Sequence, residues 1–528
     1  MEETSVRIMP LPNPTPLDDI PKIARELDAT FLTNKTRDLA WRRVQLNRLY
    51  DFVQDNYSLL CEAMHKDLRK DLFTCGGDLD LTLSETAHCL THLEEWAAPV
   101  PAKKTLFTLF DNNATIHDPL GVVLIIAPWN YPVMLLLAPM AAALAAGNCV
   151  VLKPSEVSTH TEALLLDLIP KTFDADTVRI VAGGVPVASA LLAQKWDHIF
   201  YTGNETVGKI VMTAAAKHLT PVTLELGGKC PVYIHEDANI DVAAQRLAWG
   251  KLYNAGQTCI GPDYVLAHKS VLPRLIPALK KAVQNLYGEN PHTSPDYGRV
   301  VSAGHMKRLT DIIDRQSALP HSQIISGGEY DHDSKYIAPY FVAGVQTTDP
   351  LMESELFGPL MGIVAVSSVD EALSIINSRA HPLCLYVVAE SKAVVKKIQN
   401  STRSGTISIN DYLANMVLSD LPFGGVGASG FGSYHGRRGF LTFSHERARV
   451  WRSADAFSEL CHKVAYPPLA NTPWALWLGN TMLHYKRPSA AYVFVRNYVP
   501  VKALVVVIGF ALFFEIGRRV GRGGNFWA

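Results

Sequence analysis

A chain of 528 residues with 48% apolar and 19% charged content has room for about three domains around a substantial buried core. Its net charge of −1 excludes a general electrostatic attraction for nucleic acid. Its eight cysteines show no paired spacing, no C-x-x-C motif and no histidine cluster, which argues against a disulfide framework or a zinc site and for a reducing compartment.

The opening residues, Met1 to Pro10, lack a basic region followed by an apolar core, so no secretory signal or transit peptide is read and residence on the cytosolic side is expected. From about Asp18 to Trp96 helical spacing dominates. Leu39, Leu46, Leu49, Phe52 and Val53 form one group and Leu79 to Leu93 a second, and both are predicted to cover a sheet. The apolar runs Gly121 to Ile126, Cys149 to Leu152 and Ile199 to Tyr201 read as buried strands separated by helical patterns, which predicts an α/β fold with a parallel sheet. The fingerprint G-x-G-x-x-G is absent where it would be expected, which argues against an ordinary dinucleotide-binding turn. Instead Gly203-Asn204-Glu-Thr-Val-Gly208 leads from the third strand into Val211 to Ala216, placing glycines at a helix start suited to a pyrophosphate.

Chemistry concentrates further along. Glu225 stands in Thr223-Leu-Glu225-Leu-Gly-Gly-Lys229, and Cys259 follows it by 34 residues in Tyr253-Asn-Ala-Gly-Gln-Thr-Cys259-Ile-Gly-Pro262. A free cysteine by itself reads as a small buried apolar residue. Here Gly256 and Gly261 let the backbone approach a ligand, while Asn254 and Thr258 keep the loop polar. A thiolate can attack a carbonyl carbon and hold the product as a thioester, and a carboxylate can then activate the water that releases it. The apolar neighbours of Glu225 predict a desolvated carboxyl that favours its neutral form. Joined to a hydride acceptor, the pair is a candidate for aldehyde oxidation.

Seven ordered segments carry a family likeness: Ala127-Pro-Trp-Asn130-Tyr-Pro132, Lys153-Pro-Ser-Glu156, Tyr201-Thr-Gly203-Asn-Glu-Thr-Val-Gly208, Leu224-Glu225-Leu-Gly-Gly, Gly256-Gln-Thr-Cys259, Glu355-Leu-Phe357-Gly-Pro359 and Pro422-Phe423-Gly-Gly425. Together they resemble the aldehyde dehydrogenase superfamily. The stretches Ala214 to Thr223, Gly430 to Gly436 and Thr442 to His445 resemble its class 3, fatty-aldehyde branch. The resemblance implies Cys259 as nucleophile, Glu225 as base and Asn130 as oxyanion donor together with the Cys259 backbone N–H. For the cofactor it implies Lys153 and Glu156 at the adenosine ribose, Gly203, Asn204 and Gly208 near the pyrophosphate, and Glu355 and Phe357 at the nicotinamide ribose and ring. Acidic Glu156 should repel a 2′-phosphate, favouring NAD, although NADP use also fits the class 3 likeness. No metal is called for.

The same resemblance implies a Rossmann-like NAD-binding domain from residues 18–98 and 120–226, an α/β catalytic domain at 227–412, and an oligomerisation arm from 99–119 and 413–452. A homodimer is the implied assembly. Residues 453–498 read as a tail in which Trp474 to Leu483 could cover a substrate entrance or rest on headgroups.

From Ser453 onward the chain holds eight Lys or Arg and three Asp or Glu, a net of +5 that leaves −6 for the remainder. Ala503 to Phe514 gives only 12 consecutive uncharged residues, short of the roughly 20 of a spanning helix. With Lys502 snorkelling, residues 499–517 supply 19, about 28 Å of helix, and Arg518, Arg519 and Arg522 follow. A C-terminal membrane anchor is therefore expected, either spanning the bilayer or lying in its interface. The fatty-aldehyde likeness points to the endoplasmic reticulum, with the mitochondrial outer membrane, peroxisome and lipid droplet as other addresses. The substrate expectation is a lipophilic aldehyde, a long-chain fatty one or an apocarotenoid or aromatic one. Rival readings are acyl transfer to coenzyme A, which Glu225 argues against, and a non-catalytic membrane-bound scaffold.

Overall fold

The computed structural model describes residues 12–104 and 108–483. The expected anchor at 499–517 lies outside the described residues. Four helices open the chain, Asp19–Leu32 (α1), Leu39–Asp55 (α2), Tyr57–Leu68 (α3) and Leu72–Ala97 (α4). Helix α2 starts where Asp38 accepts a hydrogen bond from the Ala40 N–H, and α4 where Asp71 accepts one from Thr74, each filling a donor that the first turn leaves unpaired.

Five parallel strands follow: Val122–Ile126 (β1), Cys149–Lys153 (β2), Val178–Ile180 (β3), His198–Gly203 (β4) and Val222–Leu226 (β5). They lie in the order β5-β4-β1-β2-β3. Alternate residues of β1 enter different layers. Val123 and Ile125 pack in one cluster with Leu46 and Leu49 of α2 and Leu79 of α4, whereas Val122, Leu124 and Ile126 pack in another with Ile20, Ile23 and Leu27 of α1. A strand covered on both faces needs an unbroken apolar run, which is what the sequence shows there. Helix Met134–Ala146 (α5), between β1 and β2, is apolar all round because every one of its 13 residues is buried.

Helices Thr159–Thr172 (α6), Val185–Leu192 (α7) and Glu205–Ala216 (α8) complete the cover. The helix expected at Val211 begins earlier, at Glu205, because Asn204 Oδ1 accepts the Val207 N–H at 2.9 Å.

A second sheet contains Pro231–Ile234 (β6), Tyr264–His268 (β7), Gln323–Ser326 (β8), Tyr340–Ala343 (β9), Leu360–Val366 (β10), Cys384–Val388 (β11) and Thr406–Ile409 (β12). Its order is β8-β9-β10-β7-β6-β11-β12, parallel throughout except for β8. The chain crosses from the first sheet to the second through Gly227 to Cys230, immediately beyond Glu225 and Leu226. A single apolar cluster contains Val150 and Leu152 of one sheet and Val232, Ile234 and Val265 of the other. Late in the chain Gly430–Phe431 (β13) returns antiparallel to β5, with Gly430 opposite Glu225. Gly430 has φ +116°, and a Cβ there would overlap the Leu224 carbonyl, so only glycine fits this approach.

The chain forms two compact units. One comprises residues up to Val100 with Thr115–Arg447 and holds both large sheets; the other comprises Pro101–Ala114 with residues from Ala448 on. Within the second, Arg452 pairs with Asp111 at 2.8 Å, and helices Ala456–His462 and Pro473–Leu483 follow. No helix among the described residues is long and apolar enough to cross a membrane.

Candidate active site

Helix Ile240–Leu252 (α9) runs into a short turn, Tyr253–Gly256, in which Asn254 and Ala255 adopt φ of 53° and 51°. Side chains rarely sit in this left-handed region unless surrounding contacts hold them. Those contacts are amides. Asn254 Nδ2 donates to the Asn130 carbonyl at 2.9 Å and the Gln257 carbonyl at 3.2 Å. Gln257, wholly buried, donates from Nε2 to the carbonyls of Asn254 and Arg299 at 3.0 and 2.9 Å and accepts the Val301 N–H at 3.0 Å. Thr258 Oγ1 meets the Tyr131 hydroxyl at 2.6 Å, and beyond the cysteine Tyr386 donates to the Ile260 carbonyl at 2.6 Å. Cys259 is therefore held from both sides.

The two loop glycines also have a use within the protein. A Cβ at Gly256 would overlap the Gly358 carbonyl, and one at Gly261 would stand 3.0 Å from the Thr258 carbonyl. Protein backbone makes a close approach at each.

Asn130, Glu225 and Cys259 come together. Asn130 is buried and directs Nδ2 to the Gln257 carbonyl at 3.0 Å, leaving its second amide hydrogen for another acceptor. Glu225 is buried, and neither carboxyl oxygen has a hydrogen-bond partner among the described residues. Burial pushes its pKa well above the usual carboxylate value. Cys259 is half-buried, and its sulfur receives the N–H groups of Ile260 and of its own residue. Desolvation first, then the charges of Glu355 and Glu225, push its thiol up to about 12. Without dinucleotide these surroundings, burial first, disfavour the thiolate. Tyr434, buried beside them, also feels the charges of Glu225 and Cys259.

Glu355 lies against Gly227, where a Cβ would collide with its carboxyl, and accepts the Gly228 N–H. Burial, partly offset by that bond, pushes it up to about 7. Phe357 has φ +47° and meets Trp129 edge-on at 5.3 Å. Motif reading missed what fixes this segment. Asp263 pairs with Lys229 through one oxygen and accepts the Leu356 N–H at 2.9 Å through the other, while Lys229 also donates to the Ser354 carbonyl at 2.8 Å. A lysine after Gly227-Gly228 that becomes buried must find a carboxylate, and that need was its one sequence signal.

Of the expected cofactor residues, Lys153, Glu156, Gly203 and Asn204 lie at the carboxyl ends of the first sheet, where ligands of parallel α/β sheets bind. Lys153 ends β2 and donates to Glu156 Oε2 at 3.0 Å. Gly203 ends β4, and Asn204 caps α8. Gly208 is placed differently. It is buried within α8, where a Cβ would come within 2.9 Å of the Leu226 side chain, so it serves helix-to-sheet packing. A lysine–carboxylate pair beside a helix start fits hydroxyls and phosphate of a dinucleotide.

Residues 13–448 match the aldehyde dehydrogenase family. The chain belongs to that family. It is 44% identical over 453 residues to the "Aldehyde dehydrogenase, dimeric NADP-preferring" of Rattus norvegicus, covering 86% of this chain and 98% of the relative. It is also 44% identical over 443 residues to "Aldehyde dehydrogenase family 3 member A2" of Mus musculus, covering 84% and 90%. Among solved structures, the substrate-bound AldH of Staphylococcus aureus matches with a TM-score of 0.83 at 37% identity, over 87% of this chain and 98% of that one. The fold is thus that of the aldehyde dehydrogenases, and the chain is an aldehyde dehydrogenase enzyme.

In this aldehyde dehydrogenase without dinucleotide, alkylation of Cys259 by iodoacetamide should rise roughly tenfold per unit from about pH 7 to about pH 9, because the thiolate fraction of a thiol pushed up to about 12 grows in proportion to hydroxide. Peptide mass mapping of the alkylated position checks this; a plateau below pH 9 would contradict the environment described.

Proposed function

We propose that the chain oxidises a lipophilic aldehyde to its carboxylic acid with NAD or NADP, through a covalent thioester on Cys259. The observation that carries this reading is Glu225, a buried carboxyl with both oxygens unpartnered among the described residues, beside the half-buried Cys259. An unpaired buried carboxyl is costly in a folded protein and is retained where it handles a proton.

In this reading the Cys259 sulfur adds to the aldehyde carbon after losing its proton, and the free Asn130 N–H receives the developing oxyanion. Glu225, whose pKa burial pushes well above the usual carboxylate value, is the stronger proton acceptor for it and draws the proton from the water that cleaves the thioester. Lys153 and Glu156 hold the adenosine ribose, Gly203 and Asn204 border the pyrophosphate at the start of α8, and Glu355 and Phe357 hold the nicotinamide ribose and ring. When bound, the oxidised dinucleotide supplies the acceptor for the hydride lost from the thiohemiacetal carbon. Glu156 argues for NAD by repelling a 2′-phosphate, whereas the NADP preference in the name of the rat relative argues for tolerance of both. The word dimeric in that name supports a homodimer.

A second substrate reading has its own observation. A cavity of about 990 Å³ is walled by Tyr57, Phe73, Trp249, Tyr253 and Tyr287. Tyr253 stacks on Tyr131 at 6.4 Å, and Tyr131 bonds Thr258, the neighbour of Cys259. Flat aromatic walls suit a conjugated or aromatic aldehyde as well as a fatty one. The helix α4 makes room through Gly77, where a Cβ would overlap the Tyr253 hydroxyl.

Residues 499–517 remain, in this proposal, a membrane anchor. Helix Pro473–Leu483 precedes them, with Trp474, Leu476 and Trp477 exposed at 50%, 53% and 67%, which suits a headgroup layer.

Cys259→Ala should abolish NADH or NADPH formation, and Glu225→Gln should lower steady-state turnover by about 10²–10⁴-fold while an initial burst of reduced dinucleotide persists. Stopped-flow absorbance decides, and unchanged steady-state turnover in either variant would refute the assignment. Gly77→Ala, by pushing Tyr253 into the cavity, should raise KM for long straight-chain and retinal-like aldehydes by roughly tenfold while leaving a short aldehyde unaffected; equal effects on all would remove the cavity from substrate binding. A chain truncated after Pro468 should stay in the supernatant when membranes are pelleted, whereas the full chain sediments with them.

A further inference from the structure

Helices α3 and α4 meet at a tight corner formed by Arg69, Lys70 and Asp71. Arg69 takes φ +50° to turn the chain, and Lys70, 2% exposed, pairs with Asp78 at 2.8 Å. The corner brings together two cysteines from the facing turns. Cys75 Sγ lies 3.5 Å from the Cys61 carbonyl and 3.7 Å from the Lys70 carbonyl, and the two thiols are hydrogen-bonded to each other. Exposures of 7% and 1% would ordinarily mark them as inert packing residues. Both, however, line the 990 Å³ aromatic cavity, so a small reagent that enters the cavity meets both sulfurs.

A comparison within the chain sharpens the point. Cys230 and Cys384 are also neighbours, but each is 0% exposed and neither lines that cavity. Proximity of two thiols is common to both pairs, and access is not. Cys61 and Cys75 also differ in access: Cys61, the more exposed, is met first by an entering reagent and is the attacking sulfur, and Cys75 behind it is the resolving one.

We propose that Cys61 and Cys75 are a dithiol oxidation site that reacts with a hydroperoxide entering the aromatic cavity and closes to a disulfide. The Cys61 thiolate attacks the terminal peroxide oxygen. The O–O bond breaks, and the leaving alkoxide takes up a proton to depart as an alcohol, leaving Cys61 as a sulfenic acid. The Cys75 sulfur then attacks the Cys61 sulfur, the S–O bond breaks, and the departing hydroxide leaves as water with the Cys75 proton. In total two thiols lose two protons and two electrons, and one hydroperoxide is reduced to alcohol and water. Apolar and aromatic walls (Leu72, Phe73, Trp249, Leu252) favour an organic hydroperoxide over hydrogen peroxide.

The site has a physical route to the nucleophile. Lys70, whose carbonyl faces Cys75, places its ammonium 4.3 Å over the Tyr131 ring, and Tyr131 bonds Thr258. Asp78, the Lys70 partner, accepts the Met134 N–H at 2.6 Å, fixing the start of α5 four residues after Asn130.

The test uses the full-length chain with Cys259→Ala, so that the nucleophile itself does not react. The protein is incubated with one equivalent of cumene hydroperoxide or of hydrogen peroxide, quenched with iodoacetamide and mapped by mass spectrometry without reduction. The expected product is the Cys61 peptide joined to the Cys75 peptide, lighter by two hydrogens, with one cumyl alcohol formed per link, faster with the organic reagent, and reopened by dithiothreitol. Adding Cys75→Ser should abolish the link and leave Cys61 as a sulfenic acid that dimedone traps. Recovery of Cys61 and Cys75 as alkylated free thiols, a Cys230–Cys384 link formed first, or no dimedone adduct in the Cys75→Ser chain would each overturn the proposal.

Discussion

The buried amide of Gln257 ties together three backbone groups on two segments, and the placement of Cys259 rests on it. Its Nε2 reaches the carbonyls of Asn254 and Arg299 and its Oε1 the Val301 N–H. Breaking such a network would leave buried backbone groups unpaired at about 1–3 kcal/mol each, so the loop has little freedom to shift. That rigidity sustains the left-handed Asn254 and Ala255, brings Gly256 onto the Gly358 carbonyl, and presents Cys259 beside Asn130. The same constraint joins the two sheets, since Asn130 follows β1 whereas Gln257 precedes β7.

Electrostatics around the sulfur run against spontaneous reactivity. Burial opposes a thiolate most, and Glu355 and then Glu225 add to its effect. Such surroundings make the sulfur less open to oxidation or alkylation. Glu225 itself pays a desolvation penalty with no hydrogen bond from the described residues in return. The cost is tolerable because Leu224 and Leu226 anchor the strand on either side and Gly430 closes its edge.

Much of the site could be read in the string because the chemistry constrains residue type in short, ordered segments. Cys259, Glu225 and Asn130 converge as expected, and Lys153 with Glu156 forms a bonded pair at a strand end. The packing use of Gly208 and Gly256 could not be read. A glycine that admits a ligand and one that admits Leu226 or a Gly358 carbonyl are the same letter, and only the neighbour brought in from elsewhere in the chain distinguishes them. The Lys229–Asp263 pair and the Cys61–Cys75 corner were hidden for the same reason, since their partners stand 34 and 14 residues apart.

The sequence by itself determined the alternation of buried strands and helices, because a strand covered on both faces must be apolar at every position, and it singled out the candidate nucleophile and base, because few side chains can do that work. Tertiary structure alone decided which way their proton affinities are pushed. Whether a thiol or carboxyl favours holding its proton depends on how much water and which charges surround it, and here burial acts on both, with Glu355 and Glu225 adding to it at the thiol.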